Sequence, residues 1–142
     1  MDLLSGDSAL SLNDNESRIY ARNYDCPPTC FYAGSNVVTS MLSGGCEIEG
    51  EIINSIVSSE CKISAGAVVK NSILFPGTVV GKNATVNYAI LGENSRVAEG
   101  ASVGENVAKE DLCKRKITVL GGGYMLKSGE KVAPGEMREA QK

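Results

Sequence analysis

The sequence predicts an all-β chain: a parallel β-helix of hexapeptide repeats with about four to five coils and an extended N-terminal linker. Three observations carry that prediction. Four segments align without gaps, beginning Gly45-Cys46-Glu47-Ile48, Glu60-Cys61-Lys62-Ile63, Gly77-Thr78-Val79-Val80 and Asn94-Ser95-Arg96-Val97. A second motif precedes each: Ser40-Met41-Leu42, Ser55-Ile56-Val57, Ser72-Ile73-Leu74 and Ala89-Ile90-Leu91, in steps of 55 − 40 = 15, 72 − 55 = 17 and 89 − 72 = 17. Aliphatic residues also recur about six apart, as in Ile63, Val69 and Phe75 or Val80, Val86 and Leu91, with a small or aliphatic residue four positions on. Ile63/Ala67, Val69/Ile73, Val80/Ala84, Val86/Ile90 and Val97/Ala101 all fit. One long helix over 37–107 does not, because Gly, Asn and Pro76 recur at every corner and the period is not 3.6.

Three short strands per coil enclose a narrow prism, so inward β-branched aliphatics alternate with Ala, Ser and Thr. Bulky rings do not fit there, in keeping with the absence of Trp. Stacking about 4.8 Å apart sorts residues into columns. One column is Cys46, Cys61, Thr78 and Ser95, and another is Ser55, Ser72 and Ala89, beside Asn54 and Asn71. Gly66, Gly77, Gly81, Asn83, Gly92, Asn94 and Gly100 stand at corners, where a positive φ is expected. Residues 1–36 read as a linker and N-terminal cap, and 37–142 as the β-helix domain. Ala108 to Arg115 reads as a short helix or loop, Ile117–Gly121 with Glu130–Met137 as one more strand pair, and Arg138 to Lys142 as a frayed end.

At 142 residues the chain is sized for one domain. Its net charge of −3, with no basic block, gives no basis for binding nucleic acid or an anionic membrane. The N-terminus lacks a signal peptide, no apolar run reaches membrane-spanning length, and a cytoplasmic location is expected. With 0 His there is no imidazole base, Ser-His or Cys-His pair, or His metal ligand. The five cysteines, Cys26, Cys30, Cys46, Cys61 and Cys113, read as free thiols. Cys26 and Cys30 lack a second pair to complete a metal tetrahedron, and no metal or catalytic residue is expected.

Proteins with this hexapeptide periodicity coil left-handedly, against the usual crossover rule, so the resemblance implies a left-handed parallel β-helix. A more specific likeness rests on the flanks: Met1-Asp2-Leu3-Leu4, Ile19-Tyr20-Ala21-Arg22-Asn23 leading to Pro27-Pro28, Gly45 to Ile52, and Gly66 to Ile73. These resemble the C-terminal part of bacterial glucose-1-phosphate adenylyltransferase (ADP-glucose pyrophosphorylase), as do Ile117–Gly121 with Val132–Gly135. The resemblance implies a regulatory and oligomerisation domain of a nucleotidyltransferase. That enzyme makes ADP-glucose and pyrophosphate from ATP, used with Mg, and glucose 1-phosphate, on the way to glycogen. Catalysis belongs to a larger α/β domain of the same polypeptide that this chain lacks, so no cofactor is implied here. The implied partners are that catalytic domain, the other subunits of a tetramer, and sugar-phosphate or nucleotide effectors.

Family members bind such effectors through basic residues of the linker, late coils and C-terminal strands. Arg22 matches the linker position and is the candidate effector-binding residue. Elsewhere the pattern is broken, with Tyr24, Glu93 and Gly121 where relatives carry cations. Lys114-Arg115-Lys116 reads as a solvated turn and Gly121-Gly122-Gly123-Tyr124 as a turn without phosphate-cradle spacing. The alternatives are a stand-alone hexapeptide acyltransferase, against which the missing His argues, and a scaffolding β-helix.

Overall fold

The computed structural model describes residues 25–104 and 116–140. Every element among them is a strand of two or three residues. The strands form three parallel sheets of six. The first sheet holds Cys30–Phe31, Glu47–Ile48, Lys62–Ile63, Val79–Val80, Arg96–Val97 and Met125–Leu126. The second holds Asn36–Val38, Glu51–Ile53, Val68–Lys70, Thr85–Asn87, Ser102–Val103 and Lys131–Val132. The third holds Met41–Leu42, Ile56–Val57, Ile73–Leu74, Ala89–Leu91, Thr118–Leu120 and Met137–Arg138. Each turn of chain gives one strand to each sheet, the architecture of a hexapeptide β-helix.

Six coils stack, rather than four to five. Residues 105–115 separate the second strand of the fifth coil from its third, Thr118–Leu120, and so break the spacing that counts coils in the sequence. The expected extra strand pair is instead this third strand plus the last two strands of the sixth coil. The first coil begins at Cys30, whose strand pairs with Glu47–Ile48, ahead of the expected start at 37. The Ala108–Arg115 segment and most of the linker lie outside the described residues.

The inward aliphatics of the central coils are Ile63, Val69, Leu74, Val80, Val86, Leu91 and Val97, all buried. Their separations run 6, 5, 6, 6, 5 and 6. The step of five falls at the corner between the second and third sheets, made by a single left-handed residue: Asn54, Asn71 or Tyr88, at φ 47°, 50° and 48°. This sharpens the reading of about six residues per step and corrects it at Phe75. Phe75, placed inward by that count, is 42 % exposed while Leu74 is buried. Ile73 and Ile90 likewise face outward and are half-buried. Gly81 and Gly92 lack the positive φ expected of them. They are small because the next coil crosses close by, a Cβ on Gly92 falling 2.5 Å from the Gly122 nitrogen.

The tight corner is secured by a serine ladder. Ser55 Oγ donates to Ile53 O at 2.7 Å and accepts the Ser72 N–H at 3.2 Å. Ser72 Oγ repeats this with Lys70 O at 2.7 Å and the Ala89 N–H at 3.2 Å. Beside it, Asn54 Nδ2 donates to Asn71 Oδ1 at 2.8 Å. Buried backbone amides at the corner are thereby paired, where an unmade bond would cost about 1–3 kcal/mol.

The second coil is cut short at the opposite corner. Ile48 and Ile52 stack under Ile63 and Val69 with two fewer residues between them. Glu49 Oε2 accepts the Ala65 N–H of the longer coil at 3.2 Å. Gly50 passes so close that a Cβ would stand 2.5 Å from Ala67 O and 2.9 Å from Ser64 O. Gly50→Ala is expected to lower unfolding free energy by about 1–3 kcal/mol through this overlap. Gly122→Ala, whose Cβ meets an ordinary 3.4 Å contact, should stay within about 0.5 kcal/mol of wild type. Urea unfolding of the two variants reads the difference, and equal losses would contradict the cut corner.

Candidate functional site

Arg22, the candidate effector ligand, lies outside the described residues with Tyr24, Lys114 and Arg115, while Lys116 is exposed. Glu93 is on the page: it lines a groove of 170 Å³ with Cys26, Ser59, Glu60 and Pro76. The groove runs along the corner between the third and first sheets, where Ser59, Pro76 and Glu93 recur at 17-residue intervals. Glu60 holds φ 59° in the same column where the neighbouring coils place Gly45 and Gly77. The charged lining residues of this groove are both carboxylates, so it repels a phosphate. Glu60 was missed by the sequence reading, although its place in a glycine column was visible.

Three cations of the described strands, Lys62, Lys70 and Arg138, are paired with carboxylates. Lys62 meets Glu47 at 2.5 Å, and this carboxylate pushes the ammonium pKa up. Lys70 meets Glu51 at 3.2 Å. Arg138, expected to fray, sits in the last strand instead. It bonds Glu130 and Tyr124, and it reaches Glu136 at 2.8 Å. Glu130 also accepts the Lys127 N–H and Glu136 the Ala133 N–H, each at 3.1 Å. The C-terminal arginine therefore closes the last coil and is not presented to an anion.

The same network carries a pH signature. The Lys127 amide and then Arg138 hold Glu130 below the ordinary carboxylate range. Arg138 and then the Ala133 amide do so for Glu136. Their stabilisation is present above the unfolded glutamate pKa, about 4.3, and is lost as pH falls through the lower folded value. Arg138→Ala should lower the thermal midpoint at neutral pH, with the gap to wild type closing on acidification below that range. A gap of constant size from pH 7 to pH 3 would contradict this.

Cys26, Cys30, Cys46 and Cys61 are free. Cys46 and Cys61 are buried in one column, their thiols donating to Ser58 O at 3.1 Å and Phe75 O at 3.2 Å. The Cys46 thiol and burial push the Cys61 pKa up, which makes it an inert structural group. Among the described residues, no cluster of three His, Cys, Asp or Glu side chains could hold a metal. Gly121–Tyr124 forms a plain turn, with the Tyr124 N–H bonded to Gly121 O at 3.2 Å. Among the described residues there is no paired nucleophile and base. What they present is a set of surfaces held in register.

Comparison with known proteins agrees with that geometry. Residues 30–126 match the family described as GlmU-like, C-terminal hexapeptide. Glucose-1-phosphate adenylyltransferase of Bacillus cytotoxicus is 33 % identical over 112 residues, 79 % of this chain and 30 % of that protein. The enzyme of Bacillus thuringiensis (strain Al Hakam) is 33 % identical over 103 residues, 72 % of this chain and 27 % of its own. The chain thus spans less than a third of these relatives. In structure it resembles the acetyltransferase domain of PglB from Neisseria gonorrhoeae, with TM-score 0.58 and 16 % identity over 80 % of this chain and 55 % of that one. It also resembles GDP-perosamine N-acetyltransferase from Caulobacter crescentus, with TM-score 0.53 and 17 % identity over 81 % and 54 %. At those identities the likeness shows the fold alone. Hexapeptide period, three parallel sheets and the match over 30–126 together mean that the chain belongs to the GlmU-like C-terminal hexapeptide family.

Proposed function

We propose that this chain is the C-terminal assembly and regulatory β-helix of a glucose-1-phosphate adenylyltransferase, with catalysis carried by another domain of the same polypeptide. The observation that carries this reading is the 33 % identity to adenylyltransferases confined to 27–30 % of their length. The reaction that the whole enzyme performs, ATP and glucose 1-phosphate to ADP-glucose and pyrophosphate, needs a nucleotide site. The described residues supply neither a phosphate cradle nor a base for it. Their part is to join subunits and to transmit effector binding, within a cytoplasmic tetramer. The acyltransferase alternative draws on fold likeness alone and lacks an imidazole in the chain.

Arg22 is the linker cation of the proposed effector site. The groove along the corner between the third and first sheets presents Glu60 and Glu93, and Arg138 of the last coil is bound to two glutamates, so neither offers a further cation. A site with this electrostatic balance responds weakly to sugar phosphates. The test is ADP-glucose synthesis by the full polypeptide, titrated with fructose 1,6-bisphosphate. Shallow activation that Arg22→Ala flattens further is the expected result. Synthesis by the 142-residue chain alone, or no synthesis by the full polypeptide, would overturn the reading. Identical activation curves for Arg22→Ala and wild type would remove Arg22 from the site.

A further inference from the structure

The outward residues of the third sheet are the ones that the tight corner displaces from the core. Strand register stacks Met41, Ile56, Ile73, Ile90, Val119 and Met137 in a single column. Over the first five coils the flanking positions add no charge: stretches 39–43, 54–58, 71–75, 88–92 and 117–121 contain no Asp, Glu, Lys or Arg, whereas in the sixth coil Glu136, Arg138 and Glu139 stand beside Met137. The other two faces differ. The outer column of the first sheet includes Glu47, Lys62 and Arg96, and the second sheet carries Glu51, Lys70 and Lys131. Around the third face Met41, Phe75, Ile117 and Met137 are exposed by 40, 42, 58 and 66 %. A continuous apolar sheet face of this kind marks an interaction surface.

We propose that this face binds a second copy of the chain, third sheet against third sheet, with the two stacks antiparallel about a two-fold axis between Ile73 and Ile90. The order of the column argues for that occupant. Read from either end it runs methionine, β-branched, isoleucine, so a two-fold places Met41 opposite Met137, Ile56 opposite Val119 and Ile73 opposite Ile90 of the partner. Isologous contacts need such self-complementarity. The contacts nearest the axis, Ile56 with Val119 and Ile73 with Ile90, lie in coils whose third-sheet stretches carry no charge, so they meet without like-charge repulsion. Flat sheets pack face to face at about 10 Å with strands nearly aligned, a geometry the column can adopt.

Size sets the strength. Five steps of about 4.8 Å make the column about 24 Å long, which at strand width covers roughly 400 Å² per copy. A standard stable interface buries about 800 Å² per partner, so the chain alone forms a weak, concentration-dependent dimer. The inference rests on the assembly half of the function proposed above and is independent of its adenylyltransferase half.

Sedimentation equilibrium of the 142-residue chain from micromolar to millimolar concentration tests it. Wild type is expected to show a monomer–dimer equilibrium. Ile73→Lys and Ile90→Glu, each placing a charge on the outer face, should each weaken it at least about tenfold while keeping the wild-type thermal midpoint. An equimolar mixture of these two variants should regain the dimer, because the two-fold sets position 73 of one copy against position 90 of the other. Val79→Lys, outward on the first sheet, should leave the dimer intact. Wild type monomeric to millimolar concentration would overturn the proposal and leave the face to another domain. Dimerisation of Ile73→Lys at wild-type strength, loss of the dimer in Val79→Lys, or no recovery in the mixture would each overturn it too. None of these results bears on ADP-glucose synthesis, which the effector titration reads separately.

Discussion

Axial register is the constraint on which the rest of this chain depends. Each coil hydrogen-bonds to the coils above and below, so an N–H or C=O finds its partner only if equivalent residues stay in one column. Glu47, Lys62, Val79 and Arg96 show the consequence: one outer column over four coils, with Ile48, Ile63, Val80 and Val97 buried behind it. A slip of one residue in any coil would turn its aliphatics outward. Because contacts run to adjacent coils alone, stability accumulates coil by coil, as in other solenoids.

The departures from regularity are accommodated locally and keep that register. The second coil omits two residues, and Glu49 and Gly50 close the gap, one by accepting a hydrogen bond and the other by having no Cβ. The third strand of the fifth coil, Thr118–Leu120, keeps the register, with Thr118 stacked on Ala89. The two ends differ. Phe31, opposite the buried Ile48, is 57 % exposed, and among the described residues the first coil's strands are the edges of their sheets. At the last coil Arg138 stands opposite Leu120 and is held by Glu130 and Glu136. A charged network thus finishes the last coil.

Much of this was legible in the sequence, and the exceptions have physical causes. The columns Cys46–Ser95 and Ser55–Ala89 are visible because the first halves of the repeats align without gaps, and the structure reproduces them. Ile73, Ile90 and Phe75 were misplaced because a single left-handed residue (Thr39, Asn54, Asn71 or Tyr88) turns that corner in the first four coils, a detail that average spacing hides. The sixth coil was hidden by the residues between Gly104 and Lys116. The Arg138 network was illegible for another reason: its members are eight and two residues apart in sequence and meet only when the last coil closes. Arg22 stays an inference from resemblance, since spacing says nothing about an anion.

The function follows from what such a stack can do. It holds surfaces rigidly at fixed spacing. The claim beneath all of this is the 6-5-6 register, which puts Leu74 inside and Ile73 outside on the same strand. The most direct test compares urea unfolding of Leu74→Asp and Ile73→Asp with wild type. The account predicts that burying the Leu74→Asp carboxylate costs several kcal/mol, about 3–5, or prevents folding. Ile73→Asp should lose about 1 kcal/mol or less. Equal losses, or a greater loss for Ile73→Asp, would contradict the register and with it the outward apolar face.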